Sequence, residues 1–153
     1  MPRIELRTKI KAPVGVVFDL ARDIDLHQQS QASRREKAVA GTVSGLIEEG
    51  EWVTWEAVHL GIRQRLTSKV THMERPRYFR DVMVSGAFKR FDHDHYFEFE
   101  AENRTMMVDI FDYTSPFGFW GRLADRLFLR TYMVRLLQER NAEIQQVAEH
   151  ERT

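Results

Sequence analysis

The stretch SPFGFWGRLADRLFLRTYMVRLLQERNAEIQQVAEH, residues 115–150, carries a long helical pattern that decides the fold. Pro116 and Gly118 precede the pattern, which predicts a helix from near Gly121 to near Glu149. At 1.5 Å per residue such a helix is roughly 40 Å long. One face carries apolar residues in steps of three, four or seven: Trp120, Leu123, Leu127, Val134, Leu137, Ile144 and Ala148.

The first half of this helix has a second apolar row, so most of its circumference is apolar near the start. The row consists of Phe128, Leu129, Tyr132, Met133 and Leu136. A helix with so wide an apolar surface needs an extensive partner surface, which the rest of the chain has to supply. The tail ERNAEIQQVAEHE, residues 139–151, has few apolar residues, and we expect it to fray.

Much of the remaining chain alternates apolar and polar residues with the period of two that is typical of strands. Strands are predicted over Ile4–Ile10, Glu51–Leu60, Ile62–Met73, Tyr78–Val84, Phe88–Glu100 and Thr105–Tyr113. A short helix is predicted over residues 13–24, and Asp25–Lys37 is either a second short helix or a loop. This order predicts an α+β fold, in which an antiparallel sheet curls around the long helix and can leave a space beneath it.

Size and composition indicate an ordinary globular protein, with one domain over residues 1–153. Lys and Arg together number 23, as do Asp and Glu, so net charge gives no reason to expect a nucleic-acid partner. The absence of cysteine excludes disulfides, thiolate catalysis and cysteine metal sites. The N-terminus is unlike a signal peptide, and no apolar run reaches the roughly 20 residues that span a bilayer, so we expect a cytoplasmic protein.

Several local motifs occur in the order found in a known group of proteins. They are Ala12-Pro13 with Val17-Phe18, Trp55-Glu56, Leu60-Gly61, Arg75-Pro76 with Phe79 and Asp81, Gly86 with Phe88, Phe91-x-His93-x-His95-x-Phe97, Thr105 with Asp109 and Tyr113, Ser115-Pro116-Phe117-Gly118 and Gly121-Arg122-Leu123. With these motifs nearly the whole chain resembles the START-like (SRPBCC) superfamily of helix-grip proteins, most closely its small bacterial ligand-binding and polyketide cyclase/dehydrase-like members. The resemblance implies a seven-stranded sheet that grips the C-terminal helix, two short helices after the first strand, and a ligand cavity between sheet and helix. Because this superfamily includes carriers, cyclases and hydrolases, the function has to be argued from the site.

His93 and His95 are the strongest candidates for chemistry, because positions two apart on a strand share a face. That face also carries Phe91, Phe97 and Phe99. Two imidazoles on an apolar face could be satisfied by neighbouring strands or the helix, bind a metal, or move protons. We favour a structural or cavity-lining role and predict no metal, because zinc would need a third ligand and no metal-binding spacing lies nearby.

Asp81, Asp109 and Tyr113 occupy strand positions whose alternation points them either inward or into solvent, and we favour inward. A buried carboxylate is costly unless it is paired, so inward aspartates require the histidines or arginines close by and give the cavity a polar floor. Asp81, Asp109 and His59 could complete a metal or catalytic site with the two histidines only if the sheet brings them together.

Trp52 and Trp55 lie three apart on a predicted strand and therefore point to opposite faces. Trp55 shares its face with Val53, Ala57 and His59, so it is the predicted cavity residue.

The turn before the long helix combines aromatic residues with a basic row at i, i+4 and i+8. The aromatic residues are Phe117, Phe119 and Trp120, and the basic ones are Arg122, Arg126 and Arg130. If exposed, this combination suits a transient contact with a membrane surface or a protein partner. We favour the alternative, in which the aromatics fold under and plug the end of the sheet while the arginines form a solvated face.

Three functions follow from these patterns, and we favour the first. It is a non-enzymatic protein that binds or transports an apolar small molecule, such as a lipid, isoprenoid or polyketide, without a cofactor. The second is an enzyme of the cyclase/dehydrase or hydrolase type that uses His93 and His95 with Asp81 or Asp109 as acid/base groups. The third is a module that docks on a membrane or partner. The predicted ligand-binding residues are Trp55, His59, Leu66, Phe79, Met83, Phe91, His93, His95, Phe97, Met107, Asp109, Phe111, Tyr113, Trp120, Leu123, Leu127 and Met133.

Overall fold

The computed structural model describes residues 3–150 as a seven-stranded antiparallel sheet with a long helix across one face. The strands are β1 (Arg3–Ile10), β2 (Lys37–Gly41), β3 (Trp52–His59), β4 (Ile62–Glu74), β5 (Tyr78–Ser85), β6 (Arg90–Ala101) and β7 (Arg104–Thr114). The helices are α1 (Val14–Ala21), α2 (Ile24–Ser30), α3 (Gly118–Ala124) and α4 (Arg130–His150). The α+β architecture predicted from the sequence is confirmed. Residues 1–2 and 151–153 of the predicted 1–153 domain lie outside the described residues.

The strand order is β1-β7-β6-β5-β4-β3-β2, so each strand from β2 onward pairs with its neighbour in the chain. The exception is β1, which pairs with β7 and thereby joins the first strand to the last. The sequence analysis missed β2, because Lys37–Gly41 is short, rich in alanine and interrupted by a bulge between Ala38 and Ala40. The strand β6 begins at Arg90, two residues after its predicted start at Phe88.

The C-terminal helix begins at Gly118, three residues before its predicted start, and a single π-helical turn at Asp125–Leu129 joins α3 to α4. The helix α4 packs against β1, α1 and α2. No helix among residues 3–150 is long and apolar enough to cross a membrane.

Three clusters of buried apolar side chains form the core. The cluster under α1 includes Ile10, Val17, Phe18, Phe79, Phe97, Met107, Ile144 and Ala148. The second cluster consists of Ile4, Phe91, Phe111, Tyr113, Met133 and Leu137, and the third of Ile24, Ile47, Val53, Trp55 and Val70. The long helix contributes to the first two clusters, and it therefore spans the core as its apolar pattern predicts.

The prediction that the tail after Glu139 frays is wrong. Ile144 and Ala148 are buried against α1, and the carboxylate of Glu149 accepts a hydrogen bond from the Lys11 amide at 3.0 Å. The apolar residues of the tail are few, but their spacing of four places them on the one face that meets the core.

Replacing Ile144 with alanine should therefore destabilise the protein. The change removes buried methyl groups and leaves a cavity, which costs roughly 2–5 kcal/mol in the free energy of unfolding. Urea denaturation followed by circular dichroism measures this cost. The control is Gln146→Ala on the exposed side of the same helix. Equal unfolding midpoints for the two variants would show that the tail contributes nothing to the core.

Candidate functional site

A cavity of about 320 Å³ lies between the sheet and α4, where the three core clusters meet. The apolar side chains that line it are Ala21, Ile24, Ile47, Val53, Trp55, Ala57, Leu60, Leu66, Val70, Phe79, Ala87, Phe88, Phe91, Phe111, Pro116, Leu129, Met133, Leu136 and Leu137. Small-molecule pockets typically measure roughly 300–1,000 Å³ and have mostly apolar walls with a few polar groups. The size and lining of this cavity suit a small ligand.

His93 and His95 on β6 supply polar groups to the cavity wall. They are two apart on the strand and therefore share a face, on which both imidazoles are buried. Their rings stack with centroids 3.8 Å apart, and Phe79 stacks on His95 at 4.1 Å. These contacts fix the planes of the rings, and the neighbouring strands then provide their hydrogen-bond partners.

Two aspartates on the strands flanking β6 hold the imidazoles. Asp81 on β5 is opposite His93 in the sheet, and Asp109 on β7 is opposite His95. Oδ1 of Asp81 lies 2.6 Å from Nε2 of His95. Oδ1 of Asp109 lies 2.9 Å from Nε2 of His93 and 3.3 Å from Nδ1 of His95. Each ring nitrogen of His95 therefore faces a carboxylate.

The helix α4 adds a cation and an amide to this group. Nη1 of Arg140 lies 3.3 Å from Oδ1 of Asp109, and its Nη2 donates to the carbonyl of Ala21 at 3.2 Å. The amide of Asn141 donates to Oδ2 of Asp109 at 2.8 Å. The polar cluster is the set Asp81, His93, His95, Asp109, Arg140 and Asn141.

The charges within the polar cluster balance. Burial opposes ionisation of both aspartates, but hydrogen bonds from the histidines outweigh it, so the pKa of Asp81 is lowered and that of Asp109 lies well below its usual range. Burial also opposes the charged form of His95, but hydrogen bonds to Asp109 and Asp81 raise its pKa overall. Burial and the adjacent His95 lower the pKa of His93. Two carboxylates thus face two cations, the His95 imidazolium and the Arg140 guanidinium, while His93 is neutral.

A second polar group lines another part of the cavity and consists of His59 and Tyr132, with Arg34 behind them. Nδ1 of His59 is 2.7 Å from the Tyr132 hydroxyl, and Nε of Arg34 donates to the same hydroxyl at 3.0 Å. Burial and the Arg34 cation lower the pKa of His59, which favours the neutral imidazole. Because the hydroxyl accepts from Arg34, it donates to Nδ1, which leaves the imidazole proton on Nε2.

Asp81, His93 and His95 could also hold a metal ion, since one donor atom of each lies within 4.8 Å of the others. Two histidines and a carboxylate form a common set of ligands for zinc or iron. Here the hydrogen bond between Asp81 and His95 uses one donor from each, and Arg140 adds a nearby cation. An ion would therefore have to displace the proton of His95, and the absence of a metal stays a prediction.

Comparison with known proteins agrees with this geometry. No protein-family profile matches the sequence, and no curated protein matches it either. Among solved structures, a Streptomyces aromatase/cyclase has a TM-score of 0.79 and 12% identity, with 99% of this chain and 96% of that one covered. A Thermus thermophilus protein has a TM-score of 0.72 and 22% identity, covering 94% and 97%. A START superfamily protein from Mycobacterium smegmatis has a TM-score of 0.72 and 10% identity, covering 95% and 98%.

The chain has the helix-grip fold of the START-like superfamily. The resemblance inferred from the local motifs is thus confirmed for the fold. At identities this low the similarity carries no information about ligand or reaction, so the helix-grip cavity itself has to indicate the chemistry.

Much of the predicted ligand-binding set lies on the wall of the helix-grip cavity. These residues are Trp55, His59, Leu66, Phe79, Phe91, His93, His95, Phe111 and Met133, and the candidate catalytic residue Asp81 lies there as well. Trp52, on the opposite face of β3 from Trp55, is exposed. Contact between these residues and a ligand stays a prediction.

Other predicted residues pack in the core behind the wall. They are Met83, Phe97, Met107, Asp109 and Tyr113. Asp109 reaches the cavity only through the two histidines that it holds. The Tyr113 hydroxyl donates to Asp125 of the π-helical turn and so ties the sheet to the C-terminal helix.

The predictions that Trp120, Leu123 and Leu127 line the cavity and that the preceding aromatics fold under the sheet are wrong. All three residues are exposed, as are Phe117 and Phe119. The cause is the way in which the helix meets the sheet. A Cβ atom at Gly121 would lie 1.6 Å from the Pro116 carbonyl oxygen, so Gly121 faces inward. Asp125, one turn later, also faces inward to Tyr113, and the side chains on the opposite face of this segment point outward.

The sequence analysis missed Arg140 and Asn141, although a signal for them was present. Both are buried and fall between Leu137 and Ile144 at the three- and four-residue spacing of the core face. A charged residue at a core position of a helix indicates a buried partner, because an unpaired charge is costly there.

Replacing Asp81 with asparagine should lower the pKa of His95, because the change removes an anion that favours the imidazolium. We expect His95 in the wild type to titrate above the ordinary value of 6.5 and His93 below it. NMR titration of the imidazole Cε1–Hε1 resonances measures both values. The control is Asp112→Asn, which removes a carboxylate paired with Arg90 on the other face of the sheet. An unchanged pKa of His95 in the Asp81 variant would contradict the pairing.

The same substitution should change the pH dependence of stability. The folded-state pKa of Asp81 lies below its ordinary 3.8, and that of His95 lies above 6.5. The contribution of the pair is therefore complete between these two ordinary values. It is lost as the pH falls through the pKa of Asp81 and as the pH rises through the raised pKa of His95. The difference in urea midpoint between the wild type and Asp81→Asn should thus be largest in the mildly acidic range.

Proposed function

We propose that the protein binds a small molecule with an apolar body and a hydrogen-bond donor in the cavity between the sheet and α4. The observation that carries this proposal is the cavity itself, which has aromatic and aliphatic walls and polar groups at two places only. A core that served stability alone would gain free energy by filling such a space.

The polar groups on the cavity wall favour particular partners on the ligand. Neutral His93 donates through Nε2 to Asp109, and its Nδ1 has no hydrogen-bond partner within residues 3–150. Oδ2 of Asp81 is likewise left over by the bond to His95. Both are acceptors, so they suit a hydroxyl or other donor on the ligand.

The second polar group offers the opposite chemistry. The Nε2 proton of His59 is a donor and suits a carbonyl or ether oxygen. An apolar or aromatic molecule with a hydroxyl at one end and a carbonyl at the other would therefore satisfy both polar groups. Hydroxylated polyketides and isoprenoids are molecules of this kind.

Filling the cavity should abolish binding without unfolding the protein. Ala57 lines the cavity and is buried, so Ala57→Leu places extra methyl groups in the empty space. We expect affinity for a fluorescent apolar probe, 1-anilinonaphthalene-8-sulfonate, to fall by about tenfold or more, since each lost contact area costs binding free energy. Fluorescence titration measures the affinity, and Ala142→Leu on the exposed side of α4 is the control.

Native mass spectrometry and solvent extraction of the purified wild-type protein complement this titration. A co-purified apolar compound or saturable probe binding supports the proposal. A protein that emerges empty and binds no probe, or an Ala57→Leu variant that binds as tightly as the wild type, contradicts it.

Acid/base catalysis is a second candidate, favoured by the convergence of Asp81, His93 and His95 within hydrogen-bond reach on one cavity wall. Neutral His93 could accept a proton from a bound molecule, and the His95 imidazolium could donate one. The apolar surroundings strengthen both interactions.

A catalytic base in the cavity should exchange carbon-bound protons of a ketone ligand with solvent. The test incubates the protein in D₂O with any carbonyl compound recovered from it and follows deuterium uptake next to the carbonyl by mass spectrometry. Uptake that is fast with the wild type and slow with His93→Gln supports catalysis. Equal uptake with both proteins leaves binding as the function. Gln64→Ala, which changes a cavity residue outside the polar cluster, is the control.

A further inference from the structure

Six large apolar side chains at residues 117–128 point into solvent, and together they form the exposed apolar patch. They are Phe117, Phe119, Trp120, Leu123, Leu127 and Phe128. Phe117 is 84% exposed, Trp120 71% and Leu127 68%. Single exposed hydrophobic residues are ordinary on protein surfaces, but a run of this size on one segment marks an interaction site.

The same segment is cationic. Arg122, Arg126 and Arg130 are exposed and follow the i, i+4, i+8 spacing of a row along the helix. The single acidic residue between 116 and 130 is Asp125, whose carboxylate is taken up by Tyr113. By the ordinary helical repeat the arginine row lies roughly a quarter turn from the row of Trp120, Leu123 and Leu127. Apolar and basic rows thus run side by side.

The exposed apolar patch also adjoins the cavity. Pro116 and Leu129, the residues that bound this segment, both line the cavity. Leu60 at the β3–β4 turn is exposed and lines the cavity too, so the cavity reaches the surface. A surface that binds the patch would therefore meet the protein at the rim of its cavity.

We propose that the exposed apolar patch and the arginine row dock the protein on an anionic lipid bilayer. Protruding aromatic and leucine side chains can enter the interfacial region of a bilayer, while flanking arginines contact anionic headgroups. The basic row complements this surface and gives no advantage for self-association, because two copies would bring like charges together. Docking needs no ligand in the cavity, and it goes beyond the proposed binding function.

Co-sedimentation with lipid vesicles tests the proposal directly. One set of vesicles is phosphatidylcholine alone, and the other is equal parts phosphatidylcholine and phosphatidylglycerol. The wild type should bind the anionic vesicles and lose binding as salt is added. Trp120→Ser with Leu127→Ser should lower the partition coefficient at least about tenfold. Arg122→Glu with Arg126→Glu should lower it about fivefold or more for each arginine on anionic vesicles.

The matched control carries Phe99→Ser and Arg104→Glu. Phe99 is 67% exposed, pairs with Thr105 at the start of β7, and so lies at the opposite end of the strand from α3. This variant makes comparable changes in exposed apolar area and charge, and it should bind vesicles like the wild type. Because all the altered side chains are exposed, the folds should persist, which circular dichroism checks.

Three results would overturn membrane docking. One is a wild type that binds neither kind of vesicle. Another is equal loss of binding in the control and the patch variants. The third is concentration-dependent dimerisation in light scattering that Trp120→Ser with Leu127→Ser abolishes while vesicle binding is absent, which would assign the patch to a second copy. The patch variants should retain probe binding in solution, so failure of docking and failure of the proposed function are distinguishable.

Discussion

The buried carboxylate of Asp109 is the constraint on which the arrangement of the core depends. An isolated charge at such a depth would cost several kcal/mol, so its partners must be in place when the protein folds. They come from separate elements: His93 and His95 from β6, and Arg140 and Asn141 from α4. The bond from Arg140 to the carbonyl of Ala21 extends the connection to the end of α1. One carboxylate thus fixes how the helix lies across the sheet.

This constraint also accounts for the cavity. A polar cluster in the middle of the interface between sheet and helix cannot pack against apolar side chains without losing its hydrogen bonds. Its members instead bond to one another and divide the core into separate apolar clusters. The space where those clusters meet remains open, with groups such as His93 and Asp81 at its edge. The stability of the helix position and the presence of a binding site therefore have the same origin.

The sequence predicts the fold and the strand side of the site better than the helix side. The alternation of a strand has a period of two, so His93 and His95 could be placed on one buried face from sequence alone. Arg140 was missed because the helical pattern was judged by its apolar residues, and a charge among them was taken for the exposed side of a fraying tail. The orientation of Trp120 depends on the contact between Gly121 and Pro116, which is a tertiary feature with no periodic signal.

The π-helical turn at Asp125–Leu129 has a consequence for the whole C-terminal helix. Such a turn inserts one extra residue, and an α-helix advances about 100° per residue. Residues before the turn are therefore out of phase with those after it by about that angle. In an uninterrupted helix, Trp120 and Leu127 would lie closer to the face of Leu137 and Ile144. One inserted residue thus lets a nearly continuous apolar sequence serve as core along one half of the helix and as surface along the other.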